Sequence, residues 1–369
     1  MTDKKKTIVL SAGGTGGHLF PAEALAQELL TRGYNVVIFT DKRGHAFRSL
    51  GPDVALHTVR AATLKGGVLG KIKAIINMSL GILQASFLLI KNRPSIVVGF
   101  GGYPAFPAVC AAQILGIPTV LHEQNAILGK ANLWLARRST VIATSLPDTK
   151  GIPPASRDKT IVTGNPVRAA IVAVRESIYT APSDTMKILV TGGSQAASVF
   201  GEVVPTALAL LEDDLKQRLS VMHQSKESES AQTERKYHAA NISAEIKPFF
   251  NNMAERLAAC HLFIGRSGAS TVAEIAVAGR PAIFVPYPGH KDMQQKHNAD
   301  ALAGMGGAWL MLQSDFTPPA LAQKLREFLK NPAMLEKAAS AAKACGRPDA
   351  VKKLADVVER LSIKKGLPD

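Results

Sequence analysis

The sequence predicts an α/β chain built from two similar Rossmann-like halves, and three observations lead there. A short apolar run broken by glycines ahead of a helical pattern occupies residues 7–14 and recurs at 187–193 as KILVTGG. A longer plan of strand, glycine turn, helix, Gly-x-Pro and strand occupies 96–122 and returns roughly 165 residues later, at 262–288. A length of 369 residues with 46% hydrophobic content exceeds one ordinary core and suits two α/β domains.

Taken in order, residues 7–10 read as a buried strand. Residues 11–18 (SAGGTGGH) form the turn into a helix over roughly 21–31, closed by Gly33, and 36–40 is the next strand. Glycines in that position let a phosphate or another polar ligand approach the backbone. The dinucleotide fingerprint fits imperfectly, because Leu19 stands where its third glycine belongs, although Asp41 ends the second strand where a nicotinamide enzyme keeps its ribose acid. From 54 to 122 there is no Asp or Glu, while Arg60, Lys65, Lys71, Lys73, Lys91 and Arg93 surround an apolar stretch at 74–90. That stretch is at the lower limit of length for crossing a bilayer, and Asn77, Ser79, Gln84 and Ser86 within it argue against a span. Two readings stay open: a helix packed in the core, or one whose neighbourhood rests on an anionic membrane surface.

Residues 96–98, the turn 99–104 (GFGGYP), a helix through Leu115, the break 116–118 and a strand at 119–122 complete the first half. The join is expected at 164–168 (GNPVR), where Gly and Pro break both periodicities. In the second half, the apolar run at 262–264 ends abruptly at Gly265-Arg266-Ser267-Gly268, and a helical pattern through Val272, Ile275 and Ala276 begins just beyond. Backbone N–H groups at such a helix start favour a bound anion, and Glu274, one turn further in, can accept from a sugar hydroxyl. Gly279 and Pro281 stop that helix before 282–288 returns as a buried strand. Any parallel crossover carries a glycine turn, so this stretch alone leaves binding open. A last helix over roughly 350–363 follows Pro348, and its pattern does not say which half it joins.

Composition narrows the partners. A net charge of +15 and a pI near 9.8 favour anions such as nucleotides, phospholipid or nucleic acid. Aromatics at 5%, without aromatic-basic interleaving, make nucleic acid the least attractive of these. Cys110, Cys260 and Cys345 are few and widely spaced, so neither a disulfide framework nor a zinc site is indicated, and a cytoplasmic setting is expected. The charged opening residues precede an apolar run too short for a signal peptide.

Seven short motifs, GGTGGHLFP (13–21), GFGGYPAFP (99–107), HEQN (122–125), GNPVR (164–168), GGSQ (192–195), RSGASTVAE (266–274) and HKDMQQKHNA (290–299), fall in the order found in the MurG family. The chain resembles that family over nearly its whole length. The resemblance implies the GT-B fold, two Rossmann-like domains facing a central cleft. It implies an acceptor and membrane-associating domain at 1–163, completed by a C-terminal helix in 347–369, and a UDP-sugar-binding domain at 164–346. It also implies a peripheral enzyme on the cytoplasmic face of the bacterial inner membrane that moves N-acetylglucosamine from UDP-N-acetylglucosamine to undecaprenyl-linked lipid I, giving lipid II for peptidoglycan. Donor contacts are implied for Thr15, Gly16, Gly17, Asn125, Arg168, Ser194, for Ala269, Ser270, Thr271, Val272, Ala273 and Glu274, and for Gln294 or Gln295. Phe250 is implied as a backbone contact to uracil. One departure stands out: where the family usually reads GGSQG, this chain has Ala196, and donor binding is expected to survive it.

The chemistry fits these residue types. Loss of UDP develops negative charge on the pyrophosphate, which helix starts at Ser194-Gln195 and Ser267-Gly268, with Arg168 or Arg266, can meet. The resemblance implies a fold that needs no metal and no cofactor, and the lack of any Asp-x-Asp pair in the chain agrees with the absence of a metal. The acceptor hydroxyl must lose a proton, and His18 is the first candidate base, Glu123 the second. His122 and His290 read as structural or positional. Gln294 and Gln295 offer the paired donors and acceptors that hexose hydroxyls need. The competing readings are another enzyme of the same fold, such as a UDP-N-acetylglucosamine 2-epimerase or a glycolipid transferase, and a non-enzymatic membrane-bound nucleotide sensor.

Overall fold

The structure is a computed structural model and describes residues 6–41, 47, 49–52, 54–63, 67–193, 196–289 and 292–363. Two compact units make up the chain: residues 1–168 with 348–369, and residues 169–347.

In the first unit the chain runs β1 (Thr7–Ser11), α1 (Gly16–Thr31), β2 (Asn35–Thr40), β3 (Ala55–Thr58), α2 (Val68–Asn92), β4 (Ile96–Gly99), α3 (Gly102–Ile114), β5 (Thr119–Glu123), α4 (Lys130–Ala136), β6 (Val141–Thr144) and β7 (Thr160–Val162). Among the described residues these strands form one parallel sheet in the order β3-β2-β1-β4-β5-β6-β7. The inner strands β1, β4 and β5 are buried on both faces, which is why they read as near-continuous apolar runs, while the edge strands β3 and β7 are partly exposed. Ile8 and Leu10 pack on one side with Leu25 and Leu29 of α1, while Val9 faces the other side with Leu89 of α2 and Val109 of α3. The opening helix begins at Gly16, earlier than the pattern suggested, and takes Pro21 into its second turn, where the ring offers the Gly17 carbonyl no i+4 N–H.

The apolar stretch after β3 belongs to α2, which is longer than the 74–90 run that marks it. By length and composition α2 is long and apolar enough to cross a membrane, with a mean hydropathy of 1.6. Its packing is one-sided. Ala74, Gly81, Ala85 and Leu89 are buried, and α3 lies against it. A β-carbon at Gly81 would collide with the Arg60 carbonyl, so only glycine allows this approach. Gln84, which the sequence offered only as a polar interruption, clamps the edge of the sheet: its amide donates to Thr58 O at 2.8 Å and accepts from Arg60 N at 3.1 Å. On the other side, Leu69, Leu83 and Phe87 are 84%, 67% and 68% exposed. A helix wholly packed in the core is therefore not what forms.

The second unit runs α5 (Ala169–Val174), β8 (Met186–Thr191), α6 (Ser198–Ala209), α7 (Asp213–Lys216), β9 (Leu219–Gln224), α8 (Glu227–Ala239), β10 (Ser243–Lys247), α9 (Met253–Ala259), β11 (Leu262–Gly265), α10 (Ala269–Ala278), β12 (Ala282–Phe284), α11 (Gln294–Ala303), β13 (Ala308–Leu310), α12 (Pro318–Lys330) and α13 (Ala333–Cys345). Its parallel sheet has the order β10-β9-β8-β11-β12-β13. Ile188, Val190, Leu262 and Ile264 pack with Phe200 of α6 and Leu325 of α12. The returning strand after α10 is shorter than its apolar run, ending at Phe284.

The final helix, α14 (Ala350–Ile363), lies on α1 of the first unit. Leu354 and Val358 enter that core, and Arg32 pairs with Asp356 at 2.7 Å and Glu359 at 3.0 Å. The change of unit comes after Arg168 and not before Gly164, because 164–168 stays tied to the first sheet. Gly164 N donates to Thr144 O at 3.2 Å, and the Arg168 guanidinium sits 4.3 Å from the centre of the Phe20 ring.

Candidate active site

In each unit the strand order reverses once, between β1 and β4 and between β8 and β11. In open parallel sheets, ligands bind outside the carboxyl ends of strands at such reversals. Every glycine turn singled out in the sequence lies at one of these two places.

In the first unit, Thr15 precedes α1, and Gly16, Gly17 and His18 form its first turn. The turn after β4 faces them. Gly102 opens α3 with φ +72°, and a β-carbon there would stand 3.3 Å from His18 Nε2, so this glycine makes room for the imidazole. A pocket of about 680 Å³ opens here, lined by Gly14, Thr15, His18, Asp41, Lys73 and Tyr103 among others. Behind it, His18 Nδ1 lies 3.0 Å from Gln124 Oε1, and Gln124 Nε2 lies 2.9 Å from His122 Nδ1. His122 is wholly buried, and burial pushes its pKa down to about 4, so the ring is neutral at physiological pH.

Glu123, the second candidate base, has a different job. Its Oε1 accepts from Asn125 N at 3.0 Å and Asn125 Nδ2 at 3.1 Å, and its Oε2 from Gly129 N at 2.8 Å and Asn132 Nδ2 at 2.9 Å. A carboxylate 2% exposed and holding four donors organises the loop from 125 to 132, and has no lone pair directed at a substrate proton. Asn125 is thereby fixed at the carboxyl end of β5.

In the second unit, Gly268 caps α10 without a side-chain hydrogen bond, and the first intrahelical bond runs from Val272 N to Gly268 O at 3.0 Å. The opening amides, at Ala269, Ser270 and Thr271, are thus directed out of the helix end. Residues 268–274, including Val272, Ala273 and Glu274, are half-buried, whereas Ile275 onward is core. The turn is braced from α11: Ser267 Oγ donates to Gln295 O at 2.7 Å, and Asn298 Nδ2 to Ser267 O at 3.3 Å. Gln295 Oε1 accepts from Tyr287 N at 2.9 Å, so its amide oxygen is engaged within the fold.

Arg266 does not serve as an anion clamp. It is 8% exposed, its Nη1 donates to Val285 O and Pro286 O, both at 3.0 Å, and its Nη2 to Gln313 Oε1 at 2.7 Å. Its hydrogen bonds lie inside the fold, tying the end of β12 to the loop beyond β13. Phe250 is 3% exposed, its ring under the Arg256 guanidinium. Ala196 has φ +42° and lies ahead of α6, so its cost is left-handed backbone and not helix propensity. Ser194, Gln195 and His290 lie outside the described residues.

Residues 8–144 match the glycosyltransferase family 28 N-terminal domain and residues 187–358 its C-terminal domain. A protein of Rhodospirillum centenum named "UDP-N-acetylglucosamine--N-acetylmuramyl-(pentapeptide) pyrophosphoryl-undecaprenol N-acetylglucosamine transferase" is 54% identical over 95% of this chain and 93% of its own length. The chain belongs to the MurG family. A Zymomonas mobilis protein of the same name is 46% identical over 96% of the chain and 92% of its own length. The crystal structure of Acinetobacter baumannii MurG superposes with a TM-score of 0.77 at 30% identity, covering 96% of this chain and 99% of that one. A UDP-N-acetylglucosamine 2-epimerase structure also superposes, with a TM-score of 0.68 over 99% of both chains, but at 14% identity this likeness concerns the fold alone.

Within this MurG-family chain, sequence reasoning assigned no site role to Gln124 or Tyr103, and read Lys73 and Asn77 only as a flanking cation and a polar interruption of the apolar stretch. Gln124 sits inside HEQN between two singled-out residues, and its side chain reaches back to His122, which no spacing rule signals. Lys73 and Asn77, one helical turn apart on α2, reach the pocket wall only because α2 packs across α3.

Proposed function

We propose that the chain is an inverting glycosyltransferase that moves N-acetylglucosamine from UDP-N-acetylglucosamine to the C4 hydroxyl of the N-acetylmuramyl unit of undecaprenyl-linked lipid I, forming lipid II. The observation that carries the geometry is His18 at the sheet reversal of the first unit, in the wall of the pocket. As the acceptor oxygen bonds to the anomeric carbon, His18 takes the hydroxyl proton. The carbon–oxygen bond to the pyrophosphate breaks, and its electron pair leaves with UDP. In this reading the amides opening α10 and the Arg168 guanidinium are assigned to that charge, Glu274 and Gln294 to sugar hydroxyls, and the Phe250 backbone to uracil. Roles of this kind need no metal. UDP release should require a lipid I analogue and persist in excess chelator; release without acceptor, or lost to chelator and restored by magnesium, would count against the reading.

The exposed apolar side of α2 supports a second element of the proposal: the first unit rests on an anionic membrane surface at the cytoplasmic side. A helix held by Gly81 and Gln84 to its own domain cannot leave to span a bilayer, yet Leu69, Leu83 and Phe87 have only solvent to meet. Lys71 and Lys91 flank them and contribute up to about 1 kcal/mol each toward anionic lipid, less in salt. Lys73 lines the pocket and belongs to the acceptor side instead. Leu83→Gln with Phe87→Gln should abolish sedimentation with anionic vesicles while turnover of a soluble short-chain acceptor holds. Undiminished vesicle binding would move the contact elsewhere.

A further inference from the structure

The hydrogen bonds behind His18 have a direction, and it is set by two carbonyl oxygens that can only accept. His122 Nε2 lies 3.0 Å from Gly164 O, so that nitrogen carries the hydrogen. The ring is neutral, its pKa held down to about 4 by burial, so His122 Nδ1 is an acceptor. Facing this Nδ1 at 2.9 Å is one end of the Gln124 amide, which also lies 3.2 Å from His122 O. Two acceptors on that side require the amide's NH2 there, since the reverse orientation would set oxygen against both. The Gln124 oxygen is then the atom 3.0 Å from His18 Nδ1. An amide oxygen only accepts, so His18 Nδ1 must carry a hydrogen.

We infer that Gln124 is a positioning residue which, held by His122 and the Gly164 carbonyl, locks neutral His18 in the Nδ1–H form and so presents the Nε2 lone pair to the acceptor hydroxyl. The inference rests on the reading of His18 as the base and supplies what that reading lacks, a reason for the correct nitrogen to be available. Free imidazole side chains favour the opposite form, with the hydrogen on Nε2, which has no lone pair to offer there. The Nε2 edge is the one beside Gly102, where no β-carbon obstructs it. The lock also survives the reaction. When Nε2 takes the proton, Nδ1–H goes on donating to the same oxygen, and no group behind the ring has to turn. Three separate segments contribute, at 18, 122–124 and 164, and the parallel sheet brings them together.

The test reads the tautomer directly. In the full-length protein with ¹⁵N-labelled histidine, at alkaline pH, the His18 signals are identified as those lost in His18→Gln. His18 Nδ1 should resonate as a protonated nitrogen and Nε2 as an unprotonated one. Gln124→Leu, which removes the acceptor, should shift the ring toward the Nε2–H form and lower kcat on the order of 10²-fold, with KM for UDP-N-acetylglucosamine little changed. Gln124→Glu, which restores an acceptor toward His18 but no donor toward His122, should recover the Nδ1–H form and part of the lost kcat. A residue that merely packs would show neither the tautomer change nor the rescue. An Nε2–H tautomer in the unsubstituted protein, or a Gln124→Leu variant with tautomer and kcat unchanged, would overturn the inference. Full turnover in His18→Ala would instead remove the base while leaving the tautomer measurement standing, so the two failures are told apart.

Discussion

Each unit has a glycine turn beside its sheet reversal, after β1 in the first and after β11 in the second, and the two turns are filled differently. After β1 the helix start carries His18, an imidazole wired through Gln124 and His122 to Gly164. After β11 the helix start carries small residues, and Arg266, in the turn before it, is directed inward onto Val285, Pro286 and Gln313. On the proposed reading, one turn serves proton transfer and the other presents backbone amides to an anion. The difference lies in the side chains behind each turn.

The sharpest way to separate these roles is to remove one side chain from each turn. His18→Ala should lower turnover by roughly 10² to 10⁴ with UDP affinity nearly intact, if the first turn serves proton transfer. Turnover within a few-fold of the unsubstituted protein would leave the two turns alike. Glu274→Ala should act the other way, weakening donor affinity by on the order of 1 to 3 kcal/mol in calorimetry; an unchanged affinity would take Glu274 out of the site. The smallest effect concerns the remaining turn of the second unit. With Ala196 at φ +42°, Ala196→Gly should raise stability in chemical unfolding by up to about 1 kcal/mol, the relief of left-handed strain less the added freedom of the unfolded chain. A loss of stability would mean that the Ala196 methyl, 6% exposed, packs better than the backbone suffers.

The two helices that lie on the first unit show where sequence reading reached its limit. The pattern of α14 marked its ends well, but its partner was decided by Arg32 and Tyr34, which meet Asp356 and Glu359 from more than three hundred positions away in the chain. The pattern of α2 declared an apolar, acid-free helix and left core and membrane readings level. Apart from Leu89, the packed side turned out to be the small residues Ala74, Gly81 and Ala85, with Leu69, Leu83 and Phe87 outside. That is the reverse of what hydrophobicity alone suggests, because close helix packing selects for small size here.

By itself, the sequence determined the two Rossmann-like halves, the glycine turns at the strand ends and the placement of His18 directly after one of them. These are local properties: apolar runs, glycine at positions that need it, and a helix period that starts where a strand stops. Only the tertiary structure decided that Glu123 is consumed by four loop donors, that Arg266 points into the fold, and that Gln124 stands between two histidines. Each of those depends on which atoms a parallel sheet brings within 3 Å or so of one another from distant segments, and hydrogen-bond direction becomes readable only once the atoms that can do nothing but accept, such as Gly164 O and His122 O, are in place.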